Sequence, residues 1–306
     1  MASGDNIRAS EYNAIRAKII ALLGTGSITR GYGQTIHSSP VSSITDTITK
    51  QQWDDLKYDL INLKLHQDGL TPSIVSVNVG DVIGYGAGNP NTNYNTVADS
   101  ADLNRFNIGT GQYTLTTAAT QLTTSSWTSS ASCSLTVTFS TAEEARFFFN
   151  SGSQIRITGN REGGSTSLQN GAWTNVLSSM SPVILKASAE PEVNFYNLTS
   201  SPVQLYSFTM SSPYSSNNIV VTARCDIADN SSGGARILYF NITLTDNYVD
   251  PDTGAGHGLS FGTGDTVDGT LTFIVEELKA AGPLLPSGTF TVASPSTYSL
   301  STITVS

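Results

Sequence analysis

NIVVTARCDIADNSSGGARILYFNITLTD, residues 218–246, decides the fold class. Two runs rich in β-branched and aromatic residues alternate apolar with polar positions, the pattern of strands with one buried face. NSSGG between them supplies the glycines and short polar residues of a hairpin connection. The same alternation recurs on both sides: QYTLTT (112–117), CSLTVTF (133–139), QIRIT (154–158), VNFYNL (193–198), VQLYSFTM (203–210) and GTLTFIVEELKA (269–280). The chain closes on GTFTVASPSTYSLSTITVS. Long alternating strands with glycine turns predict an antiparallel β-sandwich over 191–306.

Upstream, 112–190 reads as an α+β module. STAEEARFFF places Ser140 and Glu143 at capping-box spacing, which predicts a short helix carrying Phe147, Phe148 and Phe149, two of them aimed into a core. QNGAWTNVLSSM predicts another, with Trp173, Val176 and Leu177 on one side. Ile155 and Ile157 share a strand face, and Gly163 with Gly164 make a turn.

The first seventy residues differ. DNIRASEYNAIRAKII (5–20) and DTITKQQWDDLKYDLI (46–61) repeat at an offset of 41: Asp5 with Asp46, Ile7 with Ile48, Tyr12 with Trp53, Ile15 with Leu56, Ile19 with Leu60. Aromatic, +3, +7 is one stripe of an amphipathic helix. Ser10 caps the first helix and Gly24 stops it. Thr49 with Gln52 is a capping box for the second, which Gly69 and Pro72 end. Helices this short are marginal alone in water. Residues 1–72 are therefore expected to be a helical anchoring segment whose docking face is Tyr12, Ile15, Ile19, Trp53, Leu56 and Leu60. Residues 73–111 are expected to be a linker with one short strand, IVSVNV. The whole is expected to be mainly β: a small N-terminal helical repeat, an α+β module and an antiparallel β-sandwich.

Composition narrows function. Of 306 residues, 13% are charged, about half the usual share, and the net charge is −9. Fifteen Lys and Arg without a cluster argue against nucleic acid and against anionic membranes. Arg146, Arg156 and Arg161 are expected to be solvated or paired at the surface. MASGDNIRAS has no apolar core of a signal peptide, so synthesis and assembly in a cytoplasm are expected. Cys133 and Cys225 lie in alternating stretches and are expected to be buried free thiols, a disulfide between them being the minor alternative.

No catalytic spacing stands out. His37, His66 and His257 have no ligand partner nearby in sequence, and neither HExxH nor GxSxG occurs. The glycine runs GTGSITRGYG and GYGAGNP lack the strand-then-helix setting of a phosphate loop and read as turns. Asp250, Asp252 and Gly254 open like a calcium loop, but the closing bidentate acid is missing, so no metal is expected there. No cofactor and no catalytic residue is assigned.

ARFFFNSGSQIRITGNREGGSTSLQNGAWTNVLSS resembles a segment of structural proteins of tailed bacteriophages, cyanophages and other marine phages among them. PYSSNNIVVTARCDIADNSSGGARILYFNITLTDNYVDP, DTVDGTLTFIVEEL and SEYNAIRAKIIALLGTGSITRGYGQTIHSSPV resemble further parts of such proteins. NIVVTARCDIAD and ARILYFNITLTD contain no lysine and STITVS no charged side chain, so a homo-oligomer is expected to cover these strands and the helical stripes. The resemblance implies a virion component, tail-fibre-like and not an enzyme, with a trimer as the favoured homo-oligomer, partnered by other tail, baseplate or neck proteins and by a host receptor or glycan. A neck or capsid-surface protein, or a carbohydrate-binding or carbohydrate-degrading tail spike, are the alternatives.

Overall fold

The computed structural model describes residues 9–42, 47–81, 89–188, 193–248 and 266–306. Asp5, Ile7 and Asp46 of the repeat, most of GYGAGNP, and the Asp250–His257 loop lie outside them. The architecture is mixed α+β, about 27% helix and 30% strand, without a barrel. It is not mainly β, because helix content nearly equals strand content. The chain divides into two compact units, each built from separated segments.

The first unit comprises residues 1–114, 142–153 and 278–294. Its helices are α1 (Ala9–Leu23), α2 (Lys50–Asp68), α3 (Pro90–Leu103) and α4 (Ala142–Asn150). The capping box of α2 forms as expected, Thr49 and Gln52 each satisfying the other's backbone N–H. Gly69 ends the helix at φ +71, the left-handed conformation a side chain would resist. Gly24 follows the end of α1 and donates to the Ile20 carbonyl.

Three expectations fail in this unit. Ser10 lies inside α1, which already includes Ala9, so it does not cap the helix. IVSVNV forms no strand, and much of the anticipated linker is α3, opened by Pro90 at its first turn. Tyr94, Ala98 and Ala101 of α3 are buried, so this polar-looking helix closes the core with its small residues. The anticipated docking face is interior as well: Tyr12, Ile15, Ile19, Trp53, Leu56 and Leu60 are all at most 1% exposed. Trp53 meets Tyr12 edge-on at 5.4 Å and Tyr94 at 5.1 Å. Two stripes too wide for each other are covered by a third helix rather than by another protein.

The second unit comprises residues 115–141, 154–277 and 295–306. It holds β2 (Ser130–Thr138), β3 (Gln154–Glu162), α5 (Leu168–Ser179), β4 (Val183–Leu185), a 3₁₀ turn at Phe195–Asn197, β5 (Val203–Thr209), β6 (Asn218–Cys225), β7 (Ile237–Thr245), β10 (Thr297–Leu300) and β11 (Thr304–Val305). Two strands run through both units, β1 (Tyr113–Thr123) and β8 (Thr270–Pro283), while β9 (Thr289–Thr291) belongs to the first.

One sheet has the order β1-β8-β3-β4, with β9 beside β8; the other has the order β10-β2-β7-β6-β5, with β11 beside β2. The hairpin β6–β7 forms antiparallel as read from residues 218–246. VNFYNL is the 3₁₀ turn instead of a strand, its first turn closed by the Asn194 side chain. The division at 190/191 does not hold. β8 lies between β1 and β3, and β7 pairs with β2, so strands from both expected modules share each sheet.

In the second sheet apolar rows cross the strands in register. Cys133, Ile242 and Val221 form one row; Leu135, Phe240 and Ala223 form the next. All six are buried. Cys133 and Cys225 are free and buried, as expected. They sit on strands either side of β7, opposite Ile242 and Leu238, and are thus separated by four residues, about 13 Å along the strand. That distance excludes a disulfide. Burial raises both thiol pKa values, which keeps them protonated and unreactive.

Candidate functional site

The loop REGGSTS, residues 161–167, which the sequence marks only as a Gly-Gly turn, has the geometry of an anion site. It joins β3 to α5, the strand–glycine–helix arrangement that cradles phosphates. Gly163 and Gly164 take φ values of +69 and +80. Ser167 caps α5 by accepting from the Asn170 backbone.

The cradle already holds an anion, the chain's own Asp268. Its carboxylate accepts from the Ser165 backbone at 3.0 and 3.1 Å, from the Ser165 hydroxyl at 3.0 Å and from the Asn170 amide. Arg161 stands 3.5 Å from it and donates to the Asp268 carbonyl. Burial pushes the Asp268 pKa up, but these donors and the guanidinium outweigh it and hold it below the usual carboxylate range. Arg161 also donates to the Asn170 carbonyl at 3.2 Å and the Thr174 hydroxyl at 2.8 Å.

The arginines thus depart from a surface role. Arg161 is 3% and Arg146 9% exposed. Arg146 donates to the carbonyls of Arg30 at 2.7 Å and Thr25 at 2.8 Å, pinning the 24–33 loop onto α4. Only Arg156, 3.6 Å from Glu276, behaves as a partly exposed pair. Irregular loops leave carbonyls without ladder partners, and a buried guanidinium with five donors satisfies several at once.

Other buried polar groups are also structural. Asp246 accepts from the Trp173 indole at 2.9 Å and the Gln169 amide at 2.5 Å, fixing α5. Asp59 accepts from the backbone of His37 and Ser38, both at 2.9 Å. His66 stacks on Phe290 with ring centres 3.9 Å apart, and its Nε2 lies 2.8 Å from the Ser151 carbonyl. Burial lowers its pKa to about 4, so it stays neutral and donates from Nε2, and among the described residues no titrating group is hydrogen-bonded to it for proton transfer. Among the described residues no group of three His, Cys, Asp or Glu could hold a metal ion. No helix among them is long and apolar enough to cross a membrane.

Two surfaces remain. One is the outward face of the second sheet. There Ser134, Asn241 and Thr222 align across β2, β7 and β6, next to Thr136, Tyr239 and Arg224. They line a shallow groove of about 210 Å³. The Arg224 guanidinium lies 4.0 Å over the Tyr239 ring. The other surface is β1. It ends the first sheet, and none of its eleven residues is buried. Tyr113, Leu115 and Leu122 are 38%, 46% and 54% exposed.

No family model, curated protein or solved structure matches the chain. Sequence reasoning missed both surfaces. The hydroxyl-rich alternation identified the strands, but which strand ends a sheet depends on pairings more than a hundred residues apart. One available signal was the uncharged run 106–142, in which the chain's average content would place about five charges.

Proposed function

We propose that the chain is a structural subunit of a tailed-bacteriophage virion, a fibre component of the tail or baseplate that works by association and carries no enzymatic site. The observation that supports this most is the use of its buried charges. The buried Asp246, Asp59, Arg146 and Arg161 all bind the chain's own backbone or side chains, Arg161 beside the partly exposed Asp268. The chain is poor in charge, and the outward face of the second sheet presents Ser134, Thr136, Thr222 and Asn241. A subunit of a larger assembly needs such scaffolding, with sandwich-like antiparallel sheets projecting and other copies covering free edges. Residues 1–72 supply the fold of the first unit, so attachment to the particle runs through surfaces other than the Tyr12–Leu60 stripe. The homo-oligomer is a trimer in this reading.

The test is direct. Mass spectrometry of purified particles, followed by a particle reconstruction with this chain traced, should place several symmetric copies on the tail or baseplate. Copies on the neck or capsid surface would shift the position while keeping the structural role. Absence from the particle would overturn the proposal.

A second reading, recognition of a host-surface glycan, is favoured by the groove over the second sheet. Hydroxyls, an amide and a guanidinium stacked on tyrosine suit an acidic saccharide. Titration with acidic oligosaccharides should show binding that Arg224→Gln abolishes. Equal binding by both proteins would remove this site.

A further inference from the structure

We infer that β1 is the surface through which copies of this chain associate, and that a second copy covers it. The inference rests on the homo-oligomeric reading above and names the strand responsible.

A strand gains its stability from cross-strand neighbours and from whatever covers its faces. Among the described residues β1 has a neighbour on one side only, β8. Its faces alternate, Tyr113, Leu115, Thr117, Ala119, Gln121 and Thr123 on one, Thr114, Thr116, Ala118, Thr120 and Leu122 on the other. Neither face is buried anywhere along it. β2, of nine residues, buries every second side chain on one face up to Val137. Among the described residues β1 is therefore about 37 Å of extended backbone with one edge unpaired and no side chain buried on either face. Such an edge invites pairing, and monomeric proteins blunt it with lysine, proline, a bulge or brevity. β1 has no charged residue and no proline, and it is the longest edge strand in either sheet.

Charge identifies the occupant. Copies of a chain with net charge −9 repel each other, so a surface they share must bring no carboxylates together. Residues 106–142 contain no charge of either sign. The outer strands of the second sheet lie in similar runs, β5 within 193–223 and β10 and β11 within 280–306. The open edges are thus the places where like-charge repulsion is smallest. A partner recognised by electrostatics would find nothing to read on β1, whereas another copy meets a matching uncharged edge.

The experiment uses the full-length chain at micromolar concentration. Light scattering should give a multiple of 32.3 kDa. Hydrogen exchange should show protection of the β1 amides that point away from β8. Thr117→Lys, at an exposed position a lone copy tolerates, should return the mass to that of one chain, with exchange elsewhere unchanged. An oligomer whose β1 amides exchange freely, or whose mass survives Thr117→Lys, overturns β1 as the surface and leaves homo-oligomerisation standing. A wild-type mass of 32.3 kDa overturns both.

Discussion

Burial takes His66 to a pKa of about 4, below the 6.5 of a free imidazole, so the unfolded chain binds its proton first on acidification. Its contribution to stability is complete above pH 6.5, falls as the pH drops towards 4, and changes little below that. The full swing is ~3 kcal/mol. Unfolding midpoints of wild type and His66→Phe measured across this window should converge towards low pH, the variant showing the shallower slope. Asp268 makes a different prediction. Replacing it with alanine removes the anion from the Gly163–Ser167 cradle and leaves Arg161 buried without its counter-charge. The loss should be about 3 kcal/mol in urea unfolding. Added phosphate tests the cradle further: an emptied site that regains stability with phosphate would show that the loop retains its anion-binding shape. At this scale sequence failed for a definite reason. The strand–Gly-Gly–helix arrangement of 154–179 is readable, but Asp268 lies about a hundred residues away, and only the folded chain brings it there.

Elements with local signals were legible. The capping box at Thr49 and Gln52, the stop at Gly69, the hairpin 218–246 and the helix carrying Phe148 and Phe149 all formed where short-range chemistry placed them. Elements set by distant partners were not. IVSVNV alternates well but finds no strand to pair with, and PNTNYNTVADSADL, rich in Asn and Thr, is helical because α1 and α2 leave an apolar seam for Tyr94, Ala98 and Ala101 to fill. The consequence concerns stability rather than docking. Leu56→Ala should cost about 2–5 kcal/mol, seen as a lowered denaturation midpoint, whatever partner is present. Thr49→Ala should cost about 1 kcal/mol through loss of its cap. Deleting residues 1–70 should leave an insoluble or partly unfolded chain, since α3 and α4 lose the core they cover; a soluble, cooperatively melting product would contradict that placement.

For the whole molecule, strand existence was readable and strand partnership was not. Alternation tells that 130–138 has a buried face, yet nothing in it tells that 237–245 lies on one side and 297–300 on the other. The same ignorance hid the two-unit division, because each unit takes its pieces from three parts of the chain. Association of copies is the prediction that belongs here. Light scattering should return three chains per particle; a stable pair would retain association and reject the threefold form.

The interleaving of the units governs how the protein is made. During synthesis, a chain that has emerged only as far as residue 250 still lacks β8, β9, β10 and β11, so neither unit has all its parts. Residues 278–294 must leave the ribosome before the first unit can be completed, and 295–306 before the second. Folding of both units therefore waits until residues 278–306 have emerged, with long-range strand pairing as its slow step. The nascent chain spends that interval with uncharged, pairing-competent strands in the open. Its yield in a cell should depend on chaperone supply more steeply than that of a protein whose domains finish one after another.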